Sequence, residues 1–348
     1  MFSKNLKYYR LKMDLSKKEL AQKCNLSPMA ISNYEDGKRM PDMQTIKRLA
    51  KVLNVRISDF LTVQNQNLTF NHGEYRKASS LNRGRQEFIR EAVERYFDRF
   101  FTAVEFVGGD VLPKAPKCHI LSMSGDAEKD AVSLRKHLGF ASTGPIDGLI
   151  AFLENKGILI YSYPVSDEGF SALNGLVNGH PYIVINANMT TERNRSTIAH
   201  ELAHLFFKAP EGLSEKEIEK QATAISGAFL LPQNDLIREL GIRRYDVTKD
   251  MSLVCVEYGV SAYLLVKRAE IAKIISSTVA RQFYFRAAKA GWQKNEPTRI
   301  APESPTLFKQ LVYRAVNEEE ISIQRGAELL EVPFSEVAKC RGIELVEQ

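Results

Sequence analysis

Lysine and arginine are unevenly shared along these 348 residues. Residues 1–61 carry 13 of them against 6 Asp and Glu, whereas residues 62–348 carry 35 against 36. A chain of this length divides into two or three folded domains, and the imbalance says that only the first of them meets a polyanion. A membrane surface would call for one long amphipathic helix, and this segment reads as several short ones. With 44% hydrophobic and 26% charged residues the chain is globular. No apolar run approaches the roughly 18 residues of a membrane span. The opening MFSKNLKYYRLKMDLSKKEL has no secretory apolar core, so a cytoplasmic location is expected. Cys24, Cys118, Cys255 and Cys340 lie far apart with no CxxC pair. That pattern excludes a disulfide scaffold and a thiolate metal site, and fits a reducing compartment.

The basic segment divides into about five short helices. The first runs near Leu6–Lys12. Ser16-Lys17-Lys18-Glu19 is a capping box for the second, which turns Leu20 and Ala21 inward and ends near Cys24-Asn25. Ser27-Pro28 starts the third, with a cap residue followed by proline at the first helical position. Ile31 and Tyr34 are its inner side, Met29, Ser32 and Asn33 its outer side, and Gly37 its end. Asp42 opens a helix carrying Ile46, Leu49, Ala50 and Leu53, and Ile57, Phe60 and Leu61 are expected to close the core. Two short helices joined tightly inside a basic bundle form a helix-turn-helix.

The run LSKKELAQKCNLSPMAISNYEDGKRMPDMQTIKRLAKVLNV resembles the phage-repressor (XRE, Cro/C1-type) helix-turn-helix family, including Gln22 and the Ile31-Ser32, Glu35-x-Gly37 and Pro41 pattern. The resemblance implies that Gln22, Pro28, Met29, Ser32, Asn33 and Lys38 face DNA. Their chemistry suits that role: Asn and Gln pair with an adenine edge, Ser bonds base or phosphate, and Met meets a thymine methyl. Lys17, Lys38 and Arg39 serve the phosphates. One module makes few contacts, so a homodimer on a palindromic duplex operator is expected. The plainer alternative is a helical protein-interaction domain with solvated polar residues.

Residues 62–73 read as a linker or edge segment. A long amphipathic helix follows near Arg83–Phe101, with Phe88, Ala92, Val93, Tyr96, Phe97 and Phe100 on one face as core or dimer interface. Ala127–Leu138 is a helix stopped by Gly139, and Ile146–Lys156 is another. Strands are expected at 157–163, at 169–177 and at Tyr182–Asn186, the last two joined by the Asn178-Gly179 hairpin signal. Helices, a small sheet and more helices make this an α+β unit.

Thr190–Asn194 reads as a polar turn leading into a helix from Arg195 to Phe207. His200 and His204 stand four apart on one helix face, where both imidazoles reach a single ion. Glu201 is placed to take a proton from water without itself ligating. Ile198, Leu202 and Leu205 form the buried flank. A second helix, boxed by Ser214 and Glu217, carries Glu219, which one loop and an antiparallel return bring back toward the histidines. Two histidines, a glutamate and an open position are a catalytic zinc arrangement.

IVINANMTTERNRSTIAHELAHLFF followed by IEKQATAISGAFLLP resembles the ImmA/IrrE family of zinc metallopeptidases, and DAVSLRKHLGFASTGPIDGLIAFLENKGILI resembles its leading helices and first strand. The resemblance implies a zincin-like α+β domain with Zn2+ held by His200, His204 and Glu219, and Glu201 as general base. The family usually has Asn in place of Thr223 and Phe in place of Ile225; Thr223, one turn after Glu219, is a candidate to support a ligand. Arg195, Tyr182 and His180 are candidates by proximity for an oxyanion donor, though His180 also reads as a solvated turn residue. His72, His119 and His137 read as ordinary. The expected substrate is a partner repressor or the chain itself.

The expected organisation is therefore multidomain. An all-α five-helix helix-turn-helix domain spans residues 1–61, and a linker with a long helix spans 62–112. A metallopeptidase domain covers 113–240, a closing helical segment 241–290, and a helical docking unit 291–348. The last includes Ser322–Leu330, which echoes the short-helix rhythm of the first module without a polar recognition helix. The leading function is a DNA-binding regulator with a zinc endopeptidase domain, of the kind found in mobile elements, toxin–antitoxin-like pairs and stress regulation. The alternatives are a repressor or antitoxin whose peptidase-like domain binds zinc or a partner without hydrolysis, and an autonomous peptidase.

Overall fold

The computed structural model describes residues 1–61, 68–73, 83–165, 169–292 and 300–342. Half of the linker expected at 62–73, and residues 293–299 of the docking unit expected at 291–348, lie outside them. The chain forms two compact units, one from Met1–Thr69, Tyr75–Asp110 and Leu311–Gln348, the other from Phe70–Glu74 and Val111–Gln310.

The first unit opens with α1 (Phe2–Lys12), α2 (Lys17–Lys23), α3 (Pro28–Glu35) and α4 (Met43–Leu53), followed by a 3-10 turn at Ile57–Phe60. Helix α1 begins a turn earlier than its polar start suggests, because Phe2 is buried against the Phe60 ring, 5.2 Å between centroids. The capping box at Ser16 and Glu19 is formed, and Ser27 and Asp42 cap α3 and α4. Leu6, Leu20, Ile31, Leu49 and Phe60 make the core. Leu61, expected to share it, is 54% exposed, while Phe60 is fully buried and Ile57 packs against the same core. Arg10 and Glu35 form a buried two-point ion pair at 2.5 and 3.0 Å that ties α1 to α3.

In the same unit α5 (Arg83–Phe106) buries Phe88, Ala92, Val93, Phe97 and Phe100. It meets α1 through stacking of Tyr8 on Phe88 and through Arg95, whose guanidinium lies 3.7 Å over the Tyr8 ring and donates to Asn5. The aromatic stripe is thus core of this unit.

The second unit carries a four-stranded sheet in the order β1-β4-β5-β3. Its strands are β1 (Phe70–His72), β3 (Leu159–Tyr163), β4 (Ala172–Val177) and β5 (His180–Asn186). The β4–β5 turn uses Asn178 at φ 48° and Gly179 at φ 80°, the positive pair that a two-residue hairpin favours. A small parallel pair joins β2 (Leu121–Ser122) to β6 (Phe207–Lys208). The helices are α6 (Ala127–Leu138), α7 (Leu149–Glu154), α8 (Thr191–Phe206), α9 (Glu215–Leu230), α10 (Gln233–Leu240), α11 (Met251–Tyr258), α12 (Ala262–Ile271) and α13 (Ser277–Lys289). Helix α8 packs against β4, β5 and α9.

Residues 190–194 are not a separate turn. Thr190 caps α8 by accepting from Arg193 N, and Asn194 donates to the Asn186 carbonyl. Of these polar residues Glu192 and Asn194 are buried, the first accepting from Ile300 N, while Thr190 and Arg193 stay exposed. Three buried arginines likewise serve carbonyl-rich corners. Arg135 donates to Phe229, Ala141 and Gly144, Arg268 to Leu231, and Arg195 to Gly259 and Ile146. Gly227 and Gly259 leave room for two of them, since a Cβ would lie 3.1 Å from Arg268 and 2.6 Å from Arg195.

Residues 300–307 cross this unit as a strap. Ile300 N donates to Glu192, Glu303 pairs with Arg195 and accepts from Ile150 N, and Glu154 accepts from Thr306 and Leu307 N. The last α-helices among the described residues are α14 (Leu307–Asn317), α15 (Ile323–Leu330) and α16 (Phe334–Ala338). Gly326 lets α15 close on Val312, Val316 and Val337. Among the described residues, no helix is long and apolar enough to cross a membrane.

Candidate metal centre

Helix α8 buries Ile198, Leu202 and Leu205, and α9 buries Ala222, Ile225 and Phe229. The small residues Ala199, Ala203 and Ala222 are fully buried on these two helices. The remaining inward positions then face one another. His200 Nε2 and His204 Nε2 lie 3.0 Å apart, and the Glu219 carboxylate comes within 3.3 Å of the first and 3.2 Å of the second. These three side chains form a group able to hold one metal ion among the described residues. Their spacing fits zinc: bonds of about 2.0–2.1 Å in tetrahedral geometry place ligand atoms about 3.3 Å apart. Two imidazoles with one carboxylate is also the donor chemistry that zinc takes in hydrolytic sites.

Thr223 Oγ1 stands 3.3 Å from His200 Nδ1 and donates to the Glu219 carbonyl at 2.8 Å. With its hydroxyl proton committed to that carbonyl, Thr223 accepts from Nδ1–H. This holds His200 in the tautomer whose Nε2 lone pair points at the ligand group. Glu201 is buried and does not join the ligand trio. Its Oε2 accepts from Asn174 Nδ2 at 2.6 Å, so β4 holds the carboxylate in place.

In the first unit, Gln22, Pro28, Met29, Lys38 and Arg39 are exposed, and Lys17, Ser32 and Asn33 are half-buried. Lys17 Nζ bridges α2 to α3, donating to Ser32 Oγ at 3.1 Å and lying 3.6 Å from Glu35. Lys38 pairs with exposed Asp36 at 3.2 Å. The outer side of α3 is therefore a polar, cation-flanked surface on a rigid base.

Residues 6–60 match the helix-turn-helix family, and residues 153–270 match the IrrE N-terminal-like domain. The chain fuses a helix-turn-helix domain to an IrrE/ImmA-like peptidase domain. No curated protein matches it. All three ligand candidates fall inside the IrrE/ImmA-like match, and all eight DNA-facing candidates fall inside the helix-turn-helix match.

Within the IrrE/ImmA-like domain the other candidates are placed differently. Arg195 is engaged by carbonyls and Glu303 at the opposite end of α8 from His204. Tyr182 is wholly buried, its hydroxyl 2.5 Å from His72 Nδ1, and His180 Nδ1 meets the Gly157 carbonyl. None of the three belongs to the ligand group, whereas Thr223 touches it. Asn174 is the residue that sequence reasoning missed. It lies mid-strand with no motif around it, and only the pairing of β4 with β5 beneath α8 brings it to Glu201. His72, read as ordinary, has a partner for the same reason: β1 adds to the sheet edge beside β4.

Proposed function

We propose that this chain is a DNA-binding transcriptional regulator whose second unit is a zinc-dependent endopeptidase, cutting a peptide bond in a partner regulator or in itself. The observation that carries the reading is the convergence of His200, His204 and Glu219 beside a buried Glu201 held by Asn174. When bound, zinc supplies the Lewis acidity that activates water and polarises the scissile carbonyl. Glu201 accepts the proton of the attacking water and returns it to the departing amine. Asn174 donates to one carboxylate oxygen of Glu201, leaving the other for that proton. Thr223 keeps His200 oriented.

In the same reading residues 1–61 hold a duplex operator as a homodimer in the cytoplasm. Gln22, Ser32, Asn33, Met29 and Pro28 face the bases, and Lys17, Lys38 and Arg39 meet the phosphates. Residues 113–240 carry the chemistry, 241–290 close it and 291–348 dock.

Glu201→Gln tests the assignment. Zinc content and DNA binding should stay at wild-type level, while cleavage of co-expressed regulators, followed by mass spectrometry, falls by about 10²–10⁴-fold. Undiminished cleavage by Glu201→Gln would remove Glu201 from the mechanism. Loss of zinc along with activity would make it a ligand instead.

A further inference from the structure

Two stretches of the first unit follow one plan. Ser16 and Ser322 each cap a helix, accepting from Glu19 N and Arg325 N at 3.1 Å. Helices α2 and α15 each end near one left-handed residue, Asn25 at φ 53° and Glu331 at φ 57°. Directly afterwards, Leu26 N and Val332 N bond back to the Ala21 and Ala327 carbonyls at 2.8 and 3.1 Å. A second helix then starts at Pro28 or Phe334 and buries one β-branched residue, Ile31 or Val337. The cap serine, the buried alanine, the left-handed residue and the branched residue recur at the same spacing in both. Residues 321–338 are thus a second helix-turn-helix in backbone and core.

Charge separates the two. Residues 12–32 hold four lysines against Asp14 and Glu19, while the equivalent residues 318–338 hold six glutamates against Arg325 alone. Ile323 stands in the place of Lys17, Glu328 in that of Gln22, and Ala338 in that of Ser32. Glu319, Glu320 and Glu336 are exposed, and Phe334 is 51% exposed among them. A duplex is bound by neutralising phosphates with cations, so such a face repels it.

We infer that residues 318–338 form a protein-docking helix-turn-helix whose acidic, Phe334-tipped face binds the basic first module of a second copy of this chain. Residues 1–61, with 13 cationic side chains against 6 anionic ones, are the complementary surface. Met29, 68% exposed on α3, offers Phe334 an apolar counterpart. An exposed aromatic anchor within a charged rim gives a contact both attraction and register. The contact occupies the face that reads DNA, so this association, unlike the operator-bound homodimer, excludes DNA binding. This inference does not depend on the hydrolytic reading of the metal centre.

Sedimentation velocity of the full chain tests it. Association should appear at low ionic strength and fade as salt rises toward about 0.5 M, where screening is short-ranged. Glu319→Lys/Glu320→Lys/Glu336→Lys should weaken it by about tenfold or more, as should Lys18→Glu/Lys23→Glu, and mixing the two variants should restore pairing. Sonicated mixed-sequence duplex DNA should release wild-type monomers. A chain that stays monomeric at low salt overturns the inference, as does association indifferent to both sets of charge reversals. It also falls if Ser335→Ala/Lys339→Ala lowers DNA affinity about tenfold with association unchanged, because the second module is then a DNA reader.

Discussion

The helix pairs α2/α3 and α8/α9 begin alike, each helix opened by a serine or threonine cap and each pair packed on an apolar core. They turn their functional residues in opposite directions. In α2/α3 the packed side is Leu20, Ala21 and Ile31, and Gln22, Met29, Ser32 and Asn33 look outward or lie at the rim. In α8/α9 the histidines, Glu201 and Glu219 look toward the partner helix or the sheet. A reader of an extended polyanion needs polar groups displayed on a rigid frame, and an error of an ångström is absorbed by water or by the ligand. A metal centre needs three atoms within about 3.3 Å of one another, so it must be held from behind. The first design tolerates surface change and the second does not.

Removing a ligand probes the difference hardest. His204→Ala and Glu219→Ala should each lower zinc affinity beyond the roughly 10–100-fold that an outer partner is worth. Metal content after dialysis should fall from one ion per chain to none, and a variant that kept its ion would show that convergence of the two helices is not what binds. The one interior charge pair of the first module gives the next largest effect. Glu35→Gln strands the Arg10 guanidinium in the core, a loss of about 3–5 kcal/mol. Chemical denaturation should then show the helix-turn-helix unit failing first, with zinc content unchanged.

Thr223→Val should weaken zinc by about 10–100-fold by freeing the His200 ring, whereas Thr223→Asn, which keeps a hydrogen-bonding group, should hold most of the affinity. Equal loss in both would mean that Thr223 only fills space. On the outward-facing pair, Asn33→Ala should lower the preference for operator over mixed DNA by about 1–3 kcal/mol. Lys38→Ala should weaken all sequences alike and reduce the salt slope by about 1. If both variants lost affinity uniformly, α3 would carry no sequence information.

Acid provides the mildest test. Backbone N–H groups of Thr45, and of Lys129 and Glu128, hold Asp42 and Asp126 below the usual carboxylate range. The unfolded chain therefore binds more protons, and this stability is present above the ordinary value of about 3.9 and lost as pH falls through the lower folded value. Glu154 works the other way, because burial raises it, so its contribution grows as pH falls through its folded value toward about 4.3. Thermal melts should show Asp126→Asn flattening the acid limb and Glu154→Gln steepening it. An unchanged limb in both would mean that neither group differs between folded and unfolded states.

Much of the architecture was legible where the deciding interaction spans a single turn. Capping boxes at Ser16 and Ser214, the αL stop at Gly139 and the Asn178-Gly179 hairpin are each set by residues within reach of their own backbone. The reading failed where polar residues are buried by distant partners. Thr190–Asn194 looks like a loop until Asn186 accepts from Asn194, and Arg195 looks like a catalytic donor until Gly259, Ile146 and Glu303 take it up. Helix α13 falls within the expected closing helical segment, but its consecutive Phe283, Tyr284 and Phe285 mask the helical period.

The amino-acid order alone determined a basic helix-turn-helix at one end and a pair of imidazoles on one face of a later helix, since charge and a four-residue step are local properties. The resemblance already put Glu219 beside those imidazoles, as the structure has it; only the tertiary structure decided that Asn174 holds Glu201 and that Phe60 rather than Leu61 closes the first core. Each of these depends on how separate elements pack, and side-chain atoms brought together across a loop or a sheet obey no spacing rule that one strand of text can carry.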